Sequence, residues 1–236
     1  MDTTEIEECF ADIVMEAPHA FSTGSFTYHL YPLCLGKLML VHRQLRTIEI
    51  DEMAVARMPI AEVMKIAVKH RDVCNLIIAY VTAENKAECF DEKRLNDVVS
   101  DLSTLTAEDI ATLMVCILTI DNTEEVKGHY GIDKESNAMN SVLKVKSRSG
   151  SLVFGGKTLL GALIDQACER YGWTVDYTVW GVSYATLRLL MADRVTTIYL
   201  TDEERKKVPA AVMQRDEEVI RASKETMAQI KSMSWK

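Results

Sequence analysis

"PIAEVMKIAVKHRDVCNLIIAYV", residues 59–81, places Ile60, Val63, Ala67, His70, Cys74, Ile77 and Val81 at alternating steps of three and four. A strand would alternate its apolar residues at every second position, whereas 3.6 residues per turn stack these seven along one side of a helix. Pro59 suits the first turn, where its missing N–H costs nothing. His70 lies on the stripe itself. It reads either as a core histidine satisfied by a neighbour or as a ligand or pH-responsive group.

The same period extends in both directions. "PLCLGKLMLVHRQLRTI" after Pro32 sets Leu38, Val41, Leu45 and Ile48 on one face, and "TLTAEDIATLMVCILTI" sets Ile110, Leu113, Met114 and Ile117 on another. Thr106 and Asp109 hold the spacing of a capping box, with Asp replacing the usual Glu or Gln. Residues 4–16 form a short acidic amphipathic segment. The one β signal is "FSTGSFTYHLYP", aromatic and β-branched residues around a Gly24 turn, which predicts a hairpin near residues 20–31. The expectation is a mainly α chain whose residues 1–120 form a helical N-terminal domain.

From Asp121 to Gly150 the periodicity fades into mixed charges, Gly, Asn and Ser. This stretch is read as a flexible linker, because a structureless loop of that length inside one compact domain is uncommon. Beyond it, residues 151–200 read as an aromatic-rich helical segment. "KTLLGALIDQACERYG" places Leu160, Leu163, Ile164 and Ala167 on one face and stops at Gly172. A second helical pattern, from about Asp176 to Leu200, aligns Trp180, Tyr184, Leu187, Met191, Val195 and Ile198, with Gly181 as a bend. Thr201 and Glu204 form a true capping box opening a charged helical tail over 201–236.

Composition bounds the function. At 236 residues with 48% hydrophobic and 26% charged residues, the chain can bury a substantial core without cross-links. Its net charge of −8 leaves no whole-chain electrostatic footprint for nucleic acid. The basic run Lys144, Lys146, Arg148 and Lys157 is too short to argue otherwise. The six cysteines are scattered without a CxxC pair and read as reduced thiols. The acidic N-terminus lacks a signal-peptide pattern, and no apolar run reaches about 18 residues. A cytoplasmic protein is expected, with no membrane contact.

"GSLVFGGKTLLG", residues 150–161, imitates a phosphate loop. The Walker A spacing G-x-x-x-x-G-K-[ST] requires glycine six residues before Lys157, and Ser151 stands there. Counting from Gly150 instead puts Gly156 where the lysine belongs. The preceding segment is polar and not a buried strand, so the stretch reads as a glycine turn before a helix. Asp165 and Glu169, one helical turn apart, read as a solvated face beside Arg170. No catalytic, cofactor-binding or metal-binding residues are assigned, and no cofactor is expected.

Aromatic residues do concentrate. Tyr171, Trp173, Tyr177, Trp180, Tyr184 and Tyr199 fall within 171–199. Such side chains dominate interface energetics, but they fill small cores equally well, and both readings stand. Trp173, Tyr177, Trp180, Tyr184, Leu187 and Met191 are the candidate protein-binding residues.

Two stretches resemble the tail assembly chaperones of tailed bacteriophages and related contractile particles. "FSTGSFTYHLYPLCLGKLMLVHRQL" resembles their hairpin followed by a Pro-Leu-x-Leu-Gly helix start, here Pro32, Leu33, Leu35 and Gly36. "YGWTVDYTVWGVSYATLRLLMAD" is similar to their late helical segment with a Trp and a small-residue bend. The resemblance covers about fifty residues. It implies a non-enzymatic, mostly helical protein of the bacterial host cytoplasm that binds the tape-measure protein, helps recruit tail tube subunits and is absent from the finished particle. It also implies the family's habit of making a longer product by frameshifting. The alternatives are a structural particle component, such as a connector or tail-completion protein, and, less favoured, a nucleotide-dependent enzyme. Apolar grooves, twelve methionines and self-association are compatible with the chaperone expectation.

Overall fold

The computed structural model describes residues 2–23, 26–50, 52–119, 121–146, 155–213 and 224. Its element order is α1 (Thr3–Met15), β1 (His19–Thr23), β2 (Phe26–Leu30), α2 (Leu35–Leu45), α3 (Glu52–Arg57), α4 (Pro59–Lys69), α5 (Arg71–Val81), α6 (Lys86–Cys89), α7 (Glu92–Leu102), α8 (Ala107–Thr119), α9 (Thr123–His129), α10 (Ile132–Val145), α11 (Leu159–Tyr171), a π-helical turn (Tyr177–Gly181), α12 (Tyr184–Ala192) and α13 (Asp202–Arg205). The protein is mainly helical with one antiparallel hairpin, as expected. No described helix is long and apolar enough to cross a membrane.

The chain divides into two compact units, one of residues 1–130 with 155–191 and the other of residues 131–154 with 192–236. In the first, α5 packs against α2, α7 and α8, and α8 in turn against α4. Val63, Ala67, Cys74, Ile77, Ile78, Val81, Leu102, Ile110, Leu113 and Ile117 make the main core with Leu30 of the hairpin. The stripe read from residues 59–81 is therefore the centre of the unit, except that Ile60 is exposed. It is also two helices. His70 ends α4 and precedes α5 with φ −129 and ψ 45, yet its N–H still donates to Ile66 O and its carbonyl still accepts from Cys74 N–H. The bend is held from outside, where Arg71 donates to the Leu102, Ser103 and Leu105 carbonyls at the end of α7. Sequence spacing alone records no such tether.

Local signals are met where they depend on near neighbours. Thr106 and Asp109 close the expected reciprocal cap, with Thr106 N–H donating to Asp109 Oδ2 at 3.0 Å and Asp109 N–H to Thr106 Oγ1 at 3.1 Å. Gly172 ends α11 with φ 66, and Gly155 and Gly156 take φ 95 and 66, conformations costly to any side chain. Lys157 follows them just ahead of α11, while residues 147–154, and the Gly24 turn of the hairpin, lie outside the described residues.

Three expectations are corrected. Residues 121–150, read as a flexible linker, hold α9 and α10 over most of their described length. Val126 and Thr123 of α9 are fully buried, and Asp121 and Glu124 pair with Arg188. The helix was hidden because its apolar content is small and its charges serve tertiary ion pairs. α2 starts at Leu35 and not at Pro32, because Cys34 is drawn into an isolated antiparallel bridge with Ser183. The helix expected over 176–200 is a π-helical turn followed by α12, and residues 194–200 are not helical.

The second unit contains α10, the irregular stretch 194–200 and α13. Gly131 enters α10 in the left-handed conformation, φ 71, and Ile132 is buried. Thr201 and Glu204 form the predicted capping box of α13, after which Val208 is buried. Tyr199 and Val195 are among the most exposed side chains. Of the charged tail, residues 214–223 and 225–236 lie outside the described residues.

Candidate functional site

Two distant stretches meet in the first unit. Tyr184 N–H donates to Leu33 O at 2.7 Å, extending the Cys34–Ser183 bridge, and Ser183 N–H donates to Glu16 Oε1 at 2.7 Å. Glu16 is the one non-glycine among the described residues with a positive φ, 53, a conformation that costs free energy unless outside contacts hold it. Its carboxylate bond to Ser183 is such a contact. Ser183 Oγ also accepts from Thr186 N–H at 3.0 Å, capping α12, while Thr186 Oγ1 donates to Ile13 O at 2.8 Å.

Glycine permits the approach. A Cβ on Gly36 would lie 2.6 Å from three indole atoms of Trp180, and one on Gly181 would lie 2.3 Å from the Tyr177 ring. The first turn of α2 thus presents bare backbone to Trp180. The π-helical turn, of a kind often found at functional sites, aims both rings.

The six candidate residues separate into two groups. Leu187 is fully buried, forming a second core with Leu35 and Ala167, against which Trp173, Tyr184 and Met191 are packed and half-buried. Trp173 stacks on Tyr171 at 4.7 Å, and Tyr171 Oη donates to Leu190 O at 2.9 Å. Leu187 is therefore core, and no partner could touch it in this fold. Tyr177 is 47% exposed, with its ring 5.2 Å from Trp173 edge-on, and half-buried Trp180 meets Phe90 edge-on at 5.7 Å. Phe90, 60% exposed, went unnoticed in the sequence. It stands alone between α6 and α7, 90 positions from Trp180, so only the fold makes it part of an aromatic ledge with Trp180, while exposed Tyr177 sits three residues earlier on the same turn, against Trp173.

Against Trp180 lies an open pocket of about 90 Å³, whose lining includes Tyr31, Lys37, Glu16, Lys86, Trp180 and Ser183. Lys37 is 2% exposed, and its Nζ donates to Ala83 O at 2.5 Å, just past the end of α5. Arg94 Nη1 donates to Ala79 O at 2.9 Å, so two cations meet the negative end of the α5 dipole. Burial nevertheless pushes the Lys37 amine below its ordinary value, the effect of losing water around the charge. Burial likewise pushes the Cys74 thiol up to about 11.

These shifts have opposite consequences for stability. A raised thiol value means that the contribution of neutral Cys74 is complete below pH 9.0 and is lost as pH rises through about 11. A lowered amine value means that burying the Lys37 charge opposes folding at neutral pH, a cost relieved as pH rises towards 10.5. Urea titrations across the alkaline range should show the loss reduced by up to about 3 kcal/mol in Cys74→Ala. In Lys37→Met the loss should instead steepen. Equal pH slopes in wild type and both variants would contradict the assignment.

Compared with known proteins, the chain matches no family model, no curated protein and no solved structure.

Proposed function

We propose that this protein is a non-enzymatic assembly chaperone or adaptor of a phage tail or related particle. It binds the tape-measure protein and helps recruit tail tube subunits in the host cytoplasm. The observation that supports this reading is the aromatic ledge. The Pro-Leu-x-Leu-Gly start and the Trp-Gly bend, the two stretches with a family resemblance, pack on each other and hold Trp180 beside Phe90. A tryptophan ring held in place by packing against Gly36, with an exposed Phe beside it, binds an apolar helical client with little loss of side-chain entropy. Phe90, Tyr177 and Trp180 are the contact residues on this reading, and Trp173, Tyr184, Leu187 and Met191 support them from the second core.

The test is affinity for the tape-measure protein that this reading expects to be encoded near this chain. Phe90→Ala and Trp180→Ala should each weaken binding about ten-fold or more, in the range of interface hot spots, with the circular dichroism of the folded protein retained. Undiminished binding by the folded double variant would refute the ledge as the contact surface. Mass spectrometry of purified particles addresses the role, since a chaperone is missing from them and a structural component is present.

A further inference from the structure

We propose that the pocket against Trp180 is a recognition site for a carboxylate group, with the Lys37 ammonium as its counter-ion. The argument begins with what Lys37 lacks. An ammonium has three N–H donors, and among the described residues the single acceptor within hydrogen-bond distance of Nζ is Ala83 O. The Tyr31 ring, 5.3 Å away, favours the positive charge through its π face and supplies no lone pair.

None of the surrounding described carboxylates forms an ion pair with Lys37. Glu88 Oε2 is held by Arg94 Nε at 3.0 Å and by Glu84 N–H at 2.9 Å. Glu16 takes the Ser183 N–H. Asp176 pairs with Lys86 at 2.5 Å, both groups being exposed. Glu84, also on the lining, is exposed. A buried cation paired with a neutral carbonyl alone remains costly, and the cost falls when a carboxylate reaches it.

Size and charge narrow the ligand. About 90 Å³ is the space of about three waters, enough for a carboxylate with one or two attached carbons. Ligand sites for drug-sized molecules run to about 300 Å³ or more. The Trp180 ring and Val182 offer the attached carbons an apolar wall. Glu16, on the same lining, repels a second negative charge, so the site favours a monocarboxylate over a dicarboxylate. Two sources have this chemistry: a free small carboxylate, or the side chain of an acidic residue in a polypeptide lying on the aromatic ledge. The second source rests on the partner-binding reading above, and the first does not.

Nuclear magnetic resonance on the full chain separates them at constant ionic strength, observing the Lys37 ε-methylene and Trp180 indole N–H signals. Sodium acetate should shift both saturably, acetamide should shift neither, and succinate should bind several-fold more weakly than acetate. A blocked Leu-Glu-Leu peptide binding at least ten-fold more tightly than acetate, with its Leu-Gln-Leu counterpart inert, assigns the site to a polypeptide side chain. Comparable affinity for peptide and acetate assigns it to the free carboxylate. The acetate response should vanish in Lys37→Met. The proposal is overturned if acetate produces no saturable shift or if acetamide matches it, and both results come from the wild-type protein whether or not the variant folds. Loss of tape-measure binding would leave the acetate result untouched, so the two readings fail separately.

Discussion

Leu187→Ala is expected to lower the stability of the protein by about 2–5 kcal/mol, the range for truncating a fully buried leucine that leaves a cavity behind. Leu187 has no exposed surface and meets Leu35 of α2 and Ala167 of α11, with Tyr184, Trp173 and Met191 around them. Only three residues of this second core are fully enclosed, so its half-buried neighbours can move into part of the space and the loss should fall in the lower half of the range. Tyr177→Ala removes a ring that is 47% exposed and should cost about 1 kcal/mol, mainly its edge contact with Trp173. Chemical denaturation measures both. Equal losses would mean that the division between core and ledge is wrong.

The second large effect is expected at Gly36. Alanine is the better helix former by about 0.5–1 kcal/mol, so propensity alone predicts that Gly36→Ala stabilises α2. Its methyl would, however, lie 2.6 Å from the Trp180 indole, well inside any real contact. Overpacking of this kind costs about 1–3 kcal/mol and outweighs the propensity gain; Gly36→Leu should cost about 3 kcal/mol or more. The indole is also in edge contact with Phe90, so a shift away from Gly36 disturbs that packing as well. A double-mutant cycle isolates the cause. In a Trp180→Ala background, Gly36→Ala should become neutral or stabilising, because the obstructing atoms are gone. Persistence of the full penalty there would show that the glycine is needed for something other than the tryptophan.

Several features were legible because they depend on residues close together in the chain. The three-four spacing of residues 59–81 and 110–117 predicted the helices that build the main core, the aromatic and β-branched residues around Gly24 predicted the hairpin, and Thr106 with Asp109 and Thr201 with Glu204 predicted caps that the fold contains. Gly155, Gly156 and Gly172 were recognisable as turn residues, and all three have positive φ. Helix breaks were harder. His70 is no intrinsic breaker, and the Arg71 tether to α7 spans more than thirty residues of sequence. The helices α9 and α10 were missed because few apolar residues mark them, and the ion pairs of Asp121 and Glu124 with Arg188 join positions more than sixty apart.

The candidate site divides in the same way. The concentration of aromatics between 171 and 184 was plain in the sequence, but not which rings face outward. That choice came from packing: Leu35 and Ala167 enclose Leu187, whereas the π-helical turn leaves Tyr177 exposed and holds half-buried Trp180 beside Phe90. The burial of Lys37 was equally unreadable, since a lysine following Gly36 near a helix start looks like any solvated residue. What the sequence by itself determined is the class of fold, because backbone periodicity and capping act within a few residues. What only the tertiary structure decided is the site. Its defining contacts, Gly36 to Trp180, Phe90 to Trp180 and Lys37 to Ala83, join segments that are far apart in the chain and become neighbours only when the helices pack.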